Sequence, residues 1–258
     1  MAVRGLLLDL EGVLYEGGLT ITGAAAAVRT LRVGGLTLRF LTNTTTRSRR
    51  TIAERLVDLG IDAEAGHVFS PAVAARTYLA SEGLRRLSLA CPAALGEDFA
   101  EFDIDDDDPQ AVILGDLYKG FDWDILNRVF RQLTAGARLV ALHKNRYTRR
   151  EAEGLALDLG PFVAALEYAA EQKAVVVGKP SSTFFEMALR DMGLGPAETV
   201  MVGDDIDADI GGARDAGIRA VQVRTGKFRA RDEARTDIRP DHRIDTIADL
   251  PALIARIG

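Results

Sequence analysis

The sequence predicts an α/β protein with a doubly wound parallel-sheet core and a smaller inserted α/β domain. Three observations lead there. Short, mainly apolar runs recur toward both ends of the chain, at 3–10, 36–41, 175–177, 199–202 and 220–223. Runs of that length suit strands covered on both faces of a parallel sheet. Helical patterns stand between them, at 24–33, 49–59, 183–192 and 210–216, in the rhythm of βαβ units. The stretch 83–172 has another texture, and a chain of 258 residues is long enough to hold it as a second domain.

In order, the first run ends at Asp9-Leu10-Glu11-Gly12 and the second at Thr42-Asn43; the helix at 49–59 is closed by Gly60. Within 83–172, strands are expected at 86–90, 111–114 and 138–142, and helices near 124–133 and 161–170. After residue 172 the first rhythm returns: Gly178-Lys179-Pro180 follows one run, and Gly203-Asp204-Asp205 another. The expected division is therefore a core of 1–82 plus 173–258, with 83–172 inserted. The acidic run Asp103 to Asp108 reads as a solvated turn before Pro109 rather than a metal site, because packed like charges normally stay in water.

Composition narrows the function. Hydrophobic residues are 47% and charged residues 27%, an ordinary globular balance. A net charge of −6 provides no basic field for nucleic acid. Cys91 is the single cysteine, which rules out an intramolecular disulfide and fits a reducing compartment. The apolar stretch at 5–10 is short for a signal peptide, and no run reaches membrane-spanning length, so a soluble, cytoplasmic protein without membrane partners is expected.

Four polar signals each follow an apolar strand: Asp9-Leu10-Glu11-Gly12, Thr42-Asn43, Lys179, and Gly203-Asp204-Asp205 with Asp209 beyond it. Open parallel sheets bind ligands beyond the carboxyl ends of their strands, so these segments are expected to share one crevice. Asp9, Glu11, Asp204 and Asp209 together there would raise one another's pKa unless a cation intervened. Lys179 supplies one positive charge, and a hard divalent ion such as Mg²⁺ suits the remainder. A nucleophile, a metal, a cation and hydroxyl or amide donors are what phosphoryl transfer requires. Taken singly each signal has a plainer reading: Asp9 as a turn residue, Thr42-Asn43 as a helix cap, Lys179 as a surface lysine, and the late aspartates as helix-start residues. Their joint occurrence in order, each after a strand, favours the site.

The order Asp-x-x-Gly, Thr-Asn, Gly-Lys-Pro, Gly-Asp-x-x-x-x-Asp resembles the haloacid dehalogenase superfamily along almost the whole chain, and the long insert resembles its subgroup with an α/β cap between the second and third motifs. Gly160-Pro161-Phe162, Ala165 to Tyr168, Val177 to Ser181, Val202 to Asp205 and Val223 to Phe228 carry a closer likeness to members acting on phosphoramidates and pyrophosphate. The resemblance implies that Asp9 attacks phosphorus, that Asp9, the backbone carbonyl of Glu11 and Asp204 hold Mg²⁺, and that Thr42 and Asn43 bind the phosphate. It implies that Lys179 stabilises the charge, that Asp209 holds the metal shell, with Asp205 either beside that shell or facing solvent, and that the Glu11 carboxyl replaces the usual aspartate as acid and base. Small phosphorylated substrates follow, and homodimers are common among similar proteins. Within the insert, His143, Arg146, Asp158 and Gly160 are the candidates for choosing the leaving group. A phosphomutase, a metal-free dehalogenase and a binding protein that has lost turnover remain alternatives.

Overall fold

A computed structural model describes residues 2–150 and 153–258. In chain order it contains β1 (Gly5–Asp9), β2 (Tyr15–Glu16), β3 (Leu19–Thr20), α1 (Ala24–Val33), β4 (Thr37–Leu41), α2 (Arg49–Asp58), β5 (Val68–Phe69), α3 (Pro71–Ser81) and β6 (Arg86–Ala90). Then come β7 (Asp103–Ile104), β8 (Ala111–Leu114), α4 (Trp123–Thr134), β9 (Arg138–Ala141), β10 (Tyr147–Arg150), β11 (Gly154–Leu157), α5 (Leu159–Ala170) and β12 (Val175–Val176). The chain closes with α6 (Ser182–Met192), β13 (Thr199–Gly203), α7 (Gly212–Asp215), β14 (Arg219–Val223), β15 (His242–Ile244) and α8 (Leu250–Ile257).

Two compact units result: 1–42, 49–69 and 179–258 form the first, and 43–48 with 70–178 the second. The first is a six-stranded parallel sheet ordered β15-β14-β13-β1-β4-β5. Counting only these strands along the chain, the order is 3-2-1-4-5-6, and the reversal falls between β1 and β13. Alternate residues decide what covers each face. Leu6, Leu8, Val200, Val202, Val221 and Val223 pack with buried residues of α1, α2 and α8. On the other face the Phe69 ring meets Phe184 of α6 edge-on, with centroids 5.3 Å apart. Helices on both faces make the sheet doubly wound and explain why its strands read as mainly apolar runs.

The second unit is built on a five-stranded parallel sheet, β12-β9-β8-β6-β7, with an antiparallel β10–β11 hairpin. Its α4 and α5 pack through Val129, Leu133, Leu159, Val163 and Leu166 on Val112, Leu114 and Leu139. The strand at 175–176, read from the sequence as part of the first rhythm, pairs with β9 of this second sheet. Two residues carry no periodicity, so pairing alone decides their sheet. The helix expected at 210–216 is a widened turn over Ile206–Gly211 followed by the short α7. The acidic run closes a turn: Asp105 Oδ1 accepts from the amides of Asp107 and Asp108, and Asp106 and Asp108 pair with Arg128 and Arg86. Among the described residues, no helix is long and apolar enough to cross a membrane.

Candidate active site

Strand register brings the site together. Asp9 is the last residue of β1 and lies level with Leu41 of β4, so Thr42 is the first residue past the same edge. On the other side Leu8 pairs with Val202, placing Gly203 and then Asp204 at that edge too. Asp9 and Asp204 therefore flank the β1–β13 switch point, where a doubly wound sheet opens a crevice.

Asp209 reaches the same place through the widened turn. The amides of Asp209 and Ile210 both donate to the Asp205 carbonyl, at 3.0 and 3.2 Å. This coil, one residue wider than an α-turn, belongs to a class that recurs at functional sites. It presses the Asp209 side chain against Gly203, where a Cβ would lie 2.3 Å from Asp209 Cβ. Only glycine fits there. The Asp205 side chain caps the turn by accepting from the amides of Asp207 and Ala208, both at 3.0 Å, and pairs with Lys227 Nζ at 3.0 Å. Burial would raise the Asp205 pKa, but the Ala208 amide and the Lys227 charge hold it below the usual aspartate value.

Lys179 lies at the centre of the cluster. Its Nζ donates to Asp209 Oδ1 at 2.6 Å and to Asp9 Oδ1 in a short hydrogen bond. Asp9, Lys179, Asp204 and Asp209 are all buried. Burial pushes the Asp9 carboxyl up to about 7; Lys179 opposes this, while Asp209 and Asp204 add to it. Asp204 is pushed up to about 6 by burial and by Asp209, against the Lys227 amide that holds it. Burial would lower the Lys179 pKa, but Asp209 and Asp9 raise it well above its ordinary value.

The donor set fits a hard divalent cation. Single carboxylate oxygens of Asp9, Asp204 and Asp209 lie within 4.8 Å of one another, the only such group found among the described residues. Three carboxyl groups share this buried site with one ammonium, a setting in which burial first, and then repulsion among the carboxylates, raises the pKa values of Asp9 and Asp204.

Two glycines shape the surroundings of Asp204. Gly12 and Gly226 have φ of +86° and +63°, and a Cβ on either would stand 2.1 Å from Asp204 Oδ2. Lys227 N donates to that oxygen at 2.7 Å. The loop Thr225–Lys227 is not among the expected site residues, although Val223 to Phe228 carries part of the family likeness.

The remaining expected residues have the following local surroundings. The Glu11 carboxylate is solvent-exposed and accepts from the amide of Gly17 through Oε1. Asn43 belongs to the second unit, where its Oδ1 stands 3.3 Å from the Cβ position of Gly178. Of the insert candidates, His143 and Asp158 are buried, with Nε2 and Oδ1 3.7 Å apart. Asp158 also caps α5 through the Leu159 amide at 2.8 Å. Burial lowers the His143 pKa, against the charges of Asp158 and Asp116. Gly160 donates its amide to the Asn145 carbonyl, and a Cβ there would lie 2.5 Å from that oxygen. Arg146 is exposed and lines a cavity of about 670 Å³ with Tyr147, Leu155 and Leu157.

Fold and site together define an α/β protein with a buried acidic cluster at the switch point of its parallel sheet. The haloacid dehalogenase-like hydrolase model matches residues 6–105, and a second, HAD-hydrolase-like model matches 176–250. Haloacid dehalogenase-like hydrolase domain-containing protein 2 of Bos taurus is 44% identical over 93% of this chain and 91% of its own length. Phospholysine phosphohistidine inorganic pyrophosphate phosphatase of the same species is 42% identical over 98% and 94%. The structure of NagD from E. coli K-12 superposes with a TM-score of 0.86 at 25% identity, covering 96% of this chain and 98% of that one. The chain belongs to the haloacid dehalogenase-like hydrolase family and is an enzyme of that family.

Proposed function

We propose that the chain is a Mg²⁺-dependent phosphatase that passes the phosphoryl group of a small substrate first to Asp9 and then to water. One observation carries the reading: a buried carboxylate at a strand end, bonded to a buried lysine, with two more carboxylates within metal-sharing distance. A phosphatase relative at 42% identity over nearly the whole chain supports the same class of reaction.

Asp9, Asp204 and the backbone carbonyl of Glu11 would hold Mg²⁺, with Asp209 and Asp205 around them. The ion would draw off negative charge from the phosphate and keep Asp9 ionised. An Asp9 oxygen attacks phosphorus in line, the bond to the leaving group breaks, and phosphoaspartate forms. Lys179 Nζ balances charge on the carboxylate and the transferring group, and Thr42 and Asn43 orient that group. Glu11 has one oxygen held by Gly17, and Oε2 exchanges the proton. It protonates the departing atom and then takes a proton from the water that attacks phosphorus. Phosphate is released and Asp9 is regenerated.

Glu11 is one methylene longer than an aspartate, which shifts the carboxyl by up to about 1.5 Å on a fixed backbone. Substrates whose leaving groups need little protonation are therefore favoured. Phosphoramidates and pyrophosphate are the proposed class, as the name of the relative suggests. The test is phosphate release across a panel of phosphoramidates, pyrophosphate, aryl phosphates and alkyl phosphates, with Mg²⁺ and with chelator. Release that is equal with and without metal, or absent throughout, contradicts the proposal.

A further inference from the structure

Resting on that reading of the site, we propose that Thr225 is a positioning residue: its hydroxyl and the Gly226–Lys227 backbone behind it clamp the Asp9–Gly12 loop to Asp204 and so pre-shape the metal cradle. Thr225 stands two residues beyond the end of β14, and Gly12 three residues past Asp9. They are 213 positions apart in sequence, yet Thr225 Oγ1 donates to the Gly12 carbonyl in a short hydrogen bond.

The geometry fixes both sides of Gly12. Its amide donates to the Tyr15 carbonyl at 2.7 Å. In a trans peptide the N–H and the preceding C=O point in opposite directions. Holding Gly12 N–H on Tyr15 therefore aims the Glu11 carbonyl the other way. The Gly12 carbonyl, on the next peptide, is held by Thr225. With both flanking peptides tied, the left-handed conformation of Gly12 (φ +86°) is over-determined, and the loop that carries Asp9 and the Glu11 carbonyl has little freedom left.

The same loop orients the carboxylate opposite. Asp204 Oδ2 lies in the gap left by the missing side chains of Gly12 and Gly226 and accepts from Lys227 N at 2.7 Å. That commits Oδ2 of Asp204 to the protein and fixes how its carboxylate is turned within the cluster with Asp9 and Asp209. Outer contacts of this kind raise metal affinity because ligands held in place lose less freedom on binding.

The test is calorimetric titration of MgCl₂ into the purified full-length protein, free of substrate. Thr225→Val keeps the shape and removes the hydroxyl; it should weaken Mg²⁺ binding by about 10-fold or more, the range found when outer metal contacts are lost. Thr225→Ser restores the donor and should bind close to wild type. In turnover, the Val variant should need more Mg²⁺ for half-maximal rate, with the substrate KM at saturating Mg²⁺ unchanged. A purely structural role would lower thermal stability in chelator but leave Mg²⁺ affinity intact. Should the Val variant not fold, Thr225→Ala makes the same deletion without the branched apolar group. Val or Ala variants that bind Mg²⁺ like wild type overturn the clamp and leave the phosphatase reading standing. A wild-type protein that binds no Mg²⁺ overturns both.

Discussion

Replacing Lys179 with methionine tests the charge balance of the site in the absence of any substrate. Lys179 is 5% exposed and bonds both Asp9 and Asp209. Methionine retains most of its volume and removes the charge. Breaking a buried ion pair from one side costs about 3–5 kcal/mol, because the partner charge is left uncompensated. At roughly 2–4 °C per kcal/mol for a chain of this size, Tm should fall by about 6–20 °C in chelator at pH 8. The loss should shrink at lower pH. Asp9 and Asp204 have folded-state pKa values of about 7 and about 6 with Lys179 present, above their ordinary 3.8. Removing the ammonium raises them further. Between the unfolded and folded pKa the native state binds more protons than the unfolded chain, so these groups lower stability as pH rises through about 6 to 7. At pH 5 the two carboxyls are protonated, and most of the unpaired charge is gone. The measurement is differential scanning calorimetry of both proteins at pH 5 and pH 8 in chelator. A loss of equal size at both pH values, or none at pH 8, would refute the argument.

Three further outcomes follow from the same geometry. Mg²⁺ must displace protons from Asp9 and Asp204, so the rise in Tm on adding MgCl₂ should be larger at pH 8 than at pH 5.5; thermal shift titrations check it, and a pH-independent rise counts against these ligands. Glu11→Asp should raise turnover of alkyl phosphates more than of aryl phosphates, by up to about 10²-fold if acid–base help is restored. Single-turnover rates over a series of leaving groups give the answer, and an unchanged dependence on leaving-group pKa removes Glu11 from the reaction. Gly160→Ala drives a Cβ into the Asn145 carbonyl and should lower stability by about 1–3 kcal/mol, whereas Arg146→Ala should leave the unfolding free energy within about 0.5 kcal/mol of wild type and alter only the ranking of substrates.

What the sequence made legible is what depends on local pattern. Asp9, Thr42 and Asp204 each follow a mainly apolar run, so the end of a buried strand could be read and, with it, the edge to which each side chain is delivered. The helices at 24–33 and 182–192 show the same clarity, the second closed by Gly193 in a left-handed conformation. Features set by distant contacts were not legible. The two-residue strand at 175–176 has no pattern, and its place in the second sheet comes from β9. The helix Pro71–Ser81, rich in buried alanines and valine, lacks the polar stripe that would have marked it, although Ser70 and Pro71 form an ordinary start. Asp209 was legible as a residue, but not the widened turn that carries it, because that turn depends on the absence of a side chain at Gly203. The approach of His143 Nε2 to Asp158 Oδ1, 3.7 Å apart and both buried, joins residues 15 positions apart and was not legible either. The Thr225–Gly12 contact spans 213 residues, and no local pattern announces it.

The proposed mechanism requires Asp9 to accept the phosphoryl group. Acid quenching during steady turnover of an activated substrate such as an aryl phosphate, followed by mass spectrometry of the digested protein, locates any phosphoryl group on the chain. The predicted result is a phosphorylated Asp9 in the wild type, its amount rising in Glu11→Gln, where attack by water is slowed. Asp9→Asn should keep its fold, carry no phosphoryl group and release no phosphate. Phosphate release by Asp9→Asn in a preparation free of other phosphatases, or a phosphoryl group found on any other residue, would contradict the account.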